Sequence, residues 1–265
     1  MLYVILSFDD SRDDFFTRAF PILKKYKIPS TLNVISSLVK GDISCDFPSC
    51  VDKGMTSEQV VECQRSGLVE IACHGATHKN TRIDIIRNIE ELKDMGCDVK
   101  DIGAASQGSE ITIQNRNEDG IWDLVNKGTL SYLRSGIIIR REGLFYSALS
   151  FLDMFVHSER LFYWLNKKCI IKDPVEPFFL SAAIVSYTTL KQVVGFVERL
   201  AKESRRENAA IILMFHSVLK KSDDGYGKDK WYWDEGKFED LCAYFADNKD
   251  IKLITTSDFV KRTFK

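Results

Sequence analysis

Short, unbroken apolar runs alternate along this chain with longer stretches in which apolar residues return every three or four positions. That alternation predicts buried strands separated by amphipathic helices. The first run, Leu2-Tyr3-Val4-Ile5-Leu6, passes through Ser7-Phe8 into Asp9-Asp10. It reads as a strand covered on both faces, as in parallel sheets and barrels. Ser11 to Lys27 carries a helical stripe at Phe15, Phe16, Ala19, Phe20, Ile22, Leu23 and Tyr26, and Pro21 predicts a kink or a late start. Thr31 to Ile35 is a second strand, and residues 36–55, with Gly41, Pro48 and Gly54, form a loop or insertion. Thr56 and Gln59 have capping-box spacing and open a helix that ends near Gly67. Leu68 to Cys73 is a third strand, running into His74-Gly75-Ala76-Thr77-His78.

Beyond that point a helix spans Ile83 to Met95, and a short strand lies near Ile102 to Ala105. The middle is harder to read: Glu118 to Asn126 is helical in pattern, while Tyr132 and Ile137 to Ile139 are strand-like. Leu144 to Leu165, dense in Phe, Tyr, Leu and Trp, predicts a buried helix, whole or broken in two. Core packing is the commoner use of such residues; a sugar-stacking wall or a partner surface is the other. Val185 opens a second clear unit, with a helix over Leu190 to Arg205 and a wholly apolar strand over Ala209 to Phe215 that ends in His216. A polar, aromatic loop fills 218–236, a helix covers Phe238 to Phe245, a last strand Ile251 to Ile254, and a short helix closes the chain. With no repeat, low-complexity stretch or linker, residues 1–265 read as a single α/β domain.

Composition narrows the partners. The 265 residues are 45% hydrophobic and 28% charged, a globular balance. Lys+Arg 37 against Asp+Glu 38 gives a net charge of -1, which offers no electrostatic case for nucleic acid. No apolar run approaches the roughly 18 residues of a membrane span, and the N-terminus lacks the basic-then-apolar layout of a signal peptide. Seven scattered cysteines, of which Cys45 and Cys50 are the closest pair, contain no CxxC. Reduced thiols in a cytoplasmic protein are the expectation.

The candidate chemistry sits at strand ends. Parallel strands present their carboxyl ends on one side, so Asp9-Asp10, His74 and His216 are expected to converge there. Only four histidines occur, and three belong to this set; His157, in the aromatic segment, reads as structural or exposed. Adjacent acids repel unless a cation separates them, although either could instead cap the following helix. His74 and His78, four apart, would share one face of a helical turn, close enough to hold one metal. With Asp10 they make a two-His, one-carboxylate set that suits Zn²⁺ hydrolytically or Fe²⁺ oxidatively, and also admits Co²⁺ or Ni²⁺.

These residues also carry a family resemblance. Ser7-Phe8-Asp9-Asp10, followed by Ala19-Phe20-Pro21-Ile22-Leu23-Lys24-Lys25-Tyr26 and Ile28-Pro29-Ser30-Thr31, resembles the first motif region of the polysaccharide deacetylases, carbohydrate esterase family 4 with the NodB-homology domain. His74-Gly75-Ala76-Thr77-His78-Lys79-Asn80 is similar to their H-[ST]-x-x-H motif, and Leu213-Met214-Phe215-His216-Ser217 to their final motif. The likeness runs through most of the chain in order and is thin between about residues 103 and 185. It implies a distorted (β/α)7 TIM-like barrel and a metal-dependent hydrolase that removes N-acetyl groups from amino sugars or glycans. By the same resemblance Asp9 is the general base, Asp10, His74 and His78 are the metal ligands, and His216 is the general acid. Zn²⁺ is the expected metal and an N-acetylated sugar the expected substrate.

The chain departs from the family pattern at several points. Position 75 is Gly in place of Ser or Thr. The third motif has only Ala104-Ala105-Ser106-Gln107-Gly108 as counterpart, without Arg or Pro, although the Gln107 backbone N–H could serve an oxyanion. The Asp-Trp motif of many relatives is not recognisable; Arg134 and the Trp231-Tyr232-Trp233-Asp234 cluster are candidate replacements, the tryptophans as sugar-stacking or loop-packing residues. Gln107, Arg134, Trp231 and Trp233 are thus the candidate substrate contacts. Two alternatives stand beside the deacetylase: a metal-binding relative that acts on another C–N bond or only binds glycan, and a two-His, one-carboxylate Fe²⁺ oxygenase. The last usually draws its ligands from an all-β barrel, which the helix–strand alternation does not predict.

Overall fold

The computed structural model describes residues 1–42, 53–107, 111–112, 115–118, 120–136, 144–172, 178–186, 188–205 and 209–263. The Cys45–Cys50 pair and the strand-like Ile137 to Ile139 lie outside the described residues. Seven parallel strands form the frame: β1 (Leu2–Phe8), β2 (Ser30–Val34), β3 (Val69–Cys73), β4 (Ala104–Ala105), β5 (Leu133–Ser135), β6 (Phe179–Ile184) and β7 (Ala209–Phe215). Each pairs with the next, and β7 returns to β1 in full register, from Leu2 opposite Ala209 to Phe8 opposite Phe215. The sheet therefore closes into the expected distorted seven-stranded barrel. The distortion has a local cause: β4 has only two residues, and Cys73–Ala104 is its one register pair with β3. A separate parallel pair, β8 (Ser217–Leu219) and β9 (Tyr232–Asp234), stands beside the barrel's carboxyl end. The last strand, β10 (Ile251–Leu253), pairs with Leu2–Val4 of β1, while β2 takes Leu6–Phe8 of that strand.

The unbroken apolar runs are explained by burial on both faces. Val4, Leu6 and Phe8 of β1 and Ile211, Leu213 and Phe215 of β7 face the helical layer, packing with Phe20, Leu23, Phe196 and Phe238. The alternate residues, Ile5, Ile212 and Met214, turn into the barrel beside Leu180 and Ala182. At the amino-terminal end a buried polar network closes the interior. Glu70 accepts hydrogen bonds from Tyr132 Oη at 2.8 Å, Thr31 Oγ1 at 3.0 Å and the Ser257 N–H at 3.0 Å. The closing helix Thr256–Thr263 is thereby drawn over that end.

Local signals explain most element boundaries. The Thr56–Gln59 box forms, with the Gln59 N–H donating to Thr56 Oγ1 and the Thr56 N–H to Gln59 Oε1. Pro21, which has no N–H, sits in the first turn of the α-helix Phe20–Tyr26, preceded by a wide π-turn over Phe15–Ala19. The aromatic segment is broken in two, Leu144–Val156 and Glu159–Asn166, at His157, whose φ is 49°. Core packing holds for Phe162 and Leu165 of its second helix. It fails for the first helix, where Phe151 is 64% and Phe155 68% exposed.

Gly103, just before β4, is required by crowding: a Cβ there would lie 2.1 Å from the Tyr132 ring. Overpacking of this kind costs about 1–3 kcal/mol. Gly103→Ala is expected to lower the unfolding free energy by that amount, read as a lower chemical-denaturation midpoint with little change in slope.

Candidate active site

The chain leaves β1 through Asp9, whose N–H still donates to Phe215 O at 3.0 Å. It then turns through two left-handed residues, Asp10 (φ 74°) and Ser11 (φ 49°). Non-glycine residues adopt this conformation at a cost and do so most often at functional sites. Here the turn brings both acids against His74. The Asp9 Oδ1 atom accepts hydrogen bonds from Asn33 Nδ2 at 2.7 Å and from Arg134 Nη2, while its Oδ2 atom lies 3.8 Å from His74 Nε2. Asp10 is held from the other side. Its Oδ2 atom accepts from Arg12 Nε and Nη2 at 3.1 and 2.7 Å, and its Oδ1 atom faces His74 Nε2 at 3.4 Å and His78 Nε2 at 3.7 Å.

The two histidines do not sit on a helical turn. Residues 74–81 form a bent loop, and the helix begins only at Arg82. The loop is folded by left-handed conformations at Gly75 (φ 80°) and His78 (φ 60°) and pinned by the Asp84 carboxylate. Asp84 accepts from the N–H groups of Thr77 and Lys79 and from Thr77 Oγ1. A Cβ at position 75 would stand 2.5 Å from Asp84 Oδ2, which accounts for glycine there. His74 Nδ1 lies 3.0 Å from Ala105 O and donates to it, leaving the Nε2 lone pair directed at the acids. One ligand atom each from Asp10, His74 and His78 lies within 4.8 Å of the others. One carboxylate oxygen and two imidazole nitrogens at this spacing, with Oδ1 free of the arginine, fit a single divalent cation.

Electrostatics separate the groups. Burial alone would raise both acids, but Arg134 and the imidazoles hold Asp9 below its ordinary value, and His74 and Arg12 hold Asp10 well below it. Burial would lower His74, yet the two acids raise it. His78 is pushed down to about 4 by burial and by His74, so it is neutral and fit to ligate at neutral pH. His216 lies on the opposite wall, its Nδ1 3.4 Å from Ser186 Oγ and its ring centroid 5.1 Å from that of Trp231. Burial lowers its pKa, against the pull of Asp10 and Asp9.

Asp9, Asp10, His74, His78 and His216 therefore surround one cleft of about 210 Å³. Gln107 and Trp231 line it as well. The Gln107 N–H, however, donates to Asn80 Oδ1 at 2.7 Å and is not aimed at the cleft. Arg134 is buried and acts through Asp9, with its other end against Met214 Sδ. Trp233 does not reach the cleft: its indole packs on Phe215 and its Nε1–H donates to Val185 O at 2.7 Å. A buried indole needs such a partner, and the stacking role considered for Trp233 is replaced by a core one. Sequence reasoning missed Arg12, Asn33, Asp84, Ser186 and Asp229. Asn33 alone left a trace, a polar residue inside the second strand.

Fold and site together define a parallel α/β-barrel protein with a candidate mononuclear metal centre at the carboxyl ends of its strands. The model of the polysaccharide deacetylase family matches residues 2–121, the stretch that carries Asp9, Asp10, His74 and His78. Two solved structures share the whole fold. A Mycobacterium smegmatis protein named as a polysaccharide deacetylase is 12% identical, with a TM-score of 0.59 over 99% of this chain and 90% of that one. A Pseudomonas aeruginosa PAO1 protein named likewise is 9% identical, with a TM-score of 0.58 over 98% and 89%. The deacetylase domain of BpsB from Bordetella bronchiseptica is 17% identical, with a TM-score of 0.39 over 50% of this chain and 63% of that one. No curated protein matches the chain in sequence.

One buried acid beside the centre titrates near neutrality. Burial pushes the Asp14 carboxyl up to about 7, although its Oδ2 atom accepts the Val218 N–H at 2.7 Å; its Oδ1 atom has no partner. A raised folded-state pKa favours folding below the ordinary value of 3.8 and loses that advantage as pH rises to 7. Asp14→Asn mimics the protonated acid. It is expected to match wild type in denaturant at pH 4 and to exceed it at pH 8 by up to about 4 kcal/mol.

Proposed function

We propose that the chain is a metal-dependent N-deacetylase that hydrolyses the acetamido group of an N-acetylated amino sugar or glycan. The observation that carries this reading is the division of labour between adjacent acids. Asp10 offers one oxygen to the two imidazoles, while Asp9 keeps one oxygen tied to Arg134 and Asn33 and the other turned toward the same space. The bound cation, Zn²⁺ in our reading and with Fe²⁺, Co²⁺ or Ni²⁺ also compatible, would polarise the acetyl carbonyl and lower the pKa of water. Asp9 accepts the proton of the attacking water, its orientation fixed by two donors on its far oxygen. His216, across the cleft, gives a proton to the departing amine; burial makes its imidazolium a readier donor. The C–N bond breaks, water supplies the new C–O bond, and acetate and a free amine leave.

The cleft, at about 210 Å³, is below the ~300–1,000 Å³ of pockets that enclose whole ligands. In this reading it takes the acetamido end of a substrate that continues outside, past Trp231, which lines the cleft beside His216 and would offer its indole to a sugar face. The oxygenase reading loses support, because the ligands here come from the strand ends of a parallel α/β barrel.

Acetate release from a panel of N-acetylated mono- and oligosaccharides tests the proposal. Metal-loaded wild type is expected to release acetate, and Asp9→Asn to retain metal while losing about 10²–10⁴-fold in rate. Asp10→Ala and His78→Ala are expected to lose the metal itself. Unimpaired turnover by Asp9→Asn would sink the mechanism. Metal-bound wild type inert on every sugar would point to a different amide.

A further inference from the structure

Arg12 and Arg134 are the largest fully buried side chains among the described residues, each 1% exposed, and Arg12 reaches the rim of the cleft. A guanidinium so buried must satisfy its fork of donors or destabilise the fold. Nε and Nη2 go to Asp10 Oδ2 at 3.1 and 2.7 Å; Nη1 goes to Asp229 Oδ2 at 2.9 Å and Ser217 Oγ at 2.8 Å. Asp229 is anchored in turn, its Oδ2 accepting from Ser217 Oγ at 3.1 Å and its Oδ1 from the Trp231 N–H at 2.7 Å. The fork makes the two Asp10 oxygens unequal. One carries two arginine donors, and the other faces His74 and His78. The links also run from the candidate metal ligand, through Arg12 and Asp229, to the backbone of the cleft residue Trp231.

We propose that Arg12, gripped by Asp229, is the positioning residue of the metal centre. It confines Asp10 to ligation through Oδ1 and makes cation affinity depend on the loop that carries Asp229. This rests on the metal-dependent reading above but not on its substrate. A cation beside a cation is repulsive, and orientation outweighs that repulsion because the Arg12 charge is already balanced between two buried carboxylates.

The test is Zn²⁺ affinity of the stripped full-length protein, measured by competition with a chromophoric chelator. Arg12→Lys keeps the charge and loses the fork; Asp229→Asn keeps the size and loosens the grip. Each is expected to weaken Zn²⁺ by roughly 10- to 100-fold, with circular dichroism unchanged. Asp223→Asn, which cuts the same loop's outer ion pair to Arg18, is expected to leave affinity within twofold. Affinities of Arg12→Lys and Asp229→Asn within twofold of wild type, tighter binding by either, or equal weakening by Asp223→Asn would each overturn the assignment. Wild type that takes up no Zn²⁺ would overturn the metal-dependent reading along with it.

Discussion

Two adjacent carboxylates, both buried at the end of one strand, are the constraint around which this protein is arranged. Unpaired, they would repel each other and cost several kcal/mol in desolvation. Each is therefore met by its own buried arginine: Asp9 by Arg134 from β5, Asp10 by Arg12 from the turn beyond β1. Each arginine takes one oxygen of its acid, so the oxygens left over look into a common space with His74 and His78. The left-handed turn at Asp10 and Ser11, the polar Asn33 within a buried strand, and the Arg12–Asp229 pair all serve that arrangement.

The barrel supplies the convergence. β1 and β7 are in full register, so Asp9 and His216 leave neighbouring strands at the same level. β3 delivers His74 two strands away, and β5 lifts Arg134 from the far wall. The opposite end is closed by Glu70, Tyr132, Thr31 and the final helix. The candidate site thus lies at the carboxyl ends of the strands, where barrels of this kind carry their active sites.

The parts of this that were legible in sequence are those written in local pattern. The apolar runs of β1 and β7, the capping box at Thr56 and the acids and histidines at strand ends need only nearest neighbours to be read. The i, i+4 spacing of His74 and His78 suits a helical turn but does not specify one, because the loop's shape is imposed by Asp84, six residues beyond it, and by two left-handed residues that spacing does not reveal. Arg12 and Asp229 meet each other across 217 residues of chain and Ser186 meets His216 across 30, so the local pattern around them does not mark those pairings. Trp233 carries the same chemistry as Trp231, and only burial against Phe215 separates core from cleft. The exposed Phe151 and Phe155 sit in a segment whose composition alone says core.

The seam between β1 and β7 has a bearing on how the chain acquires its structure. It joins the beginning of the sequence to a strand that starts at Ala209, among the least local contacts the fold contains. Contacts of that kind form late and slow the search. During synthesis the three candidate metal ligands emerge well before β7, with Arg12 close by, but the barrel around them cannot close until that strand has been made. A chain interrupted before that strand would hold its acids and histidines on an open sheet with an unpaired edge. Open edges of that kind invite association with other chains, so the interval before closure is when this protein is most exposed to aggregation.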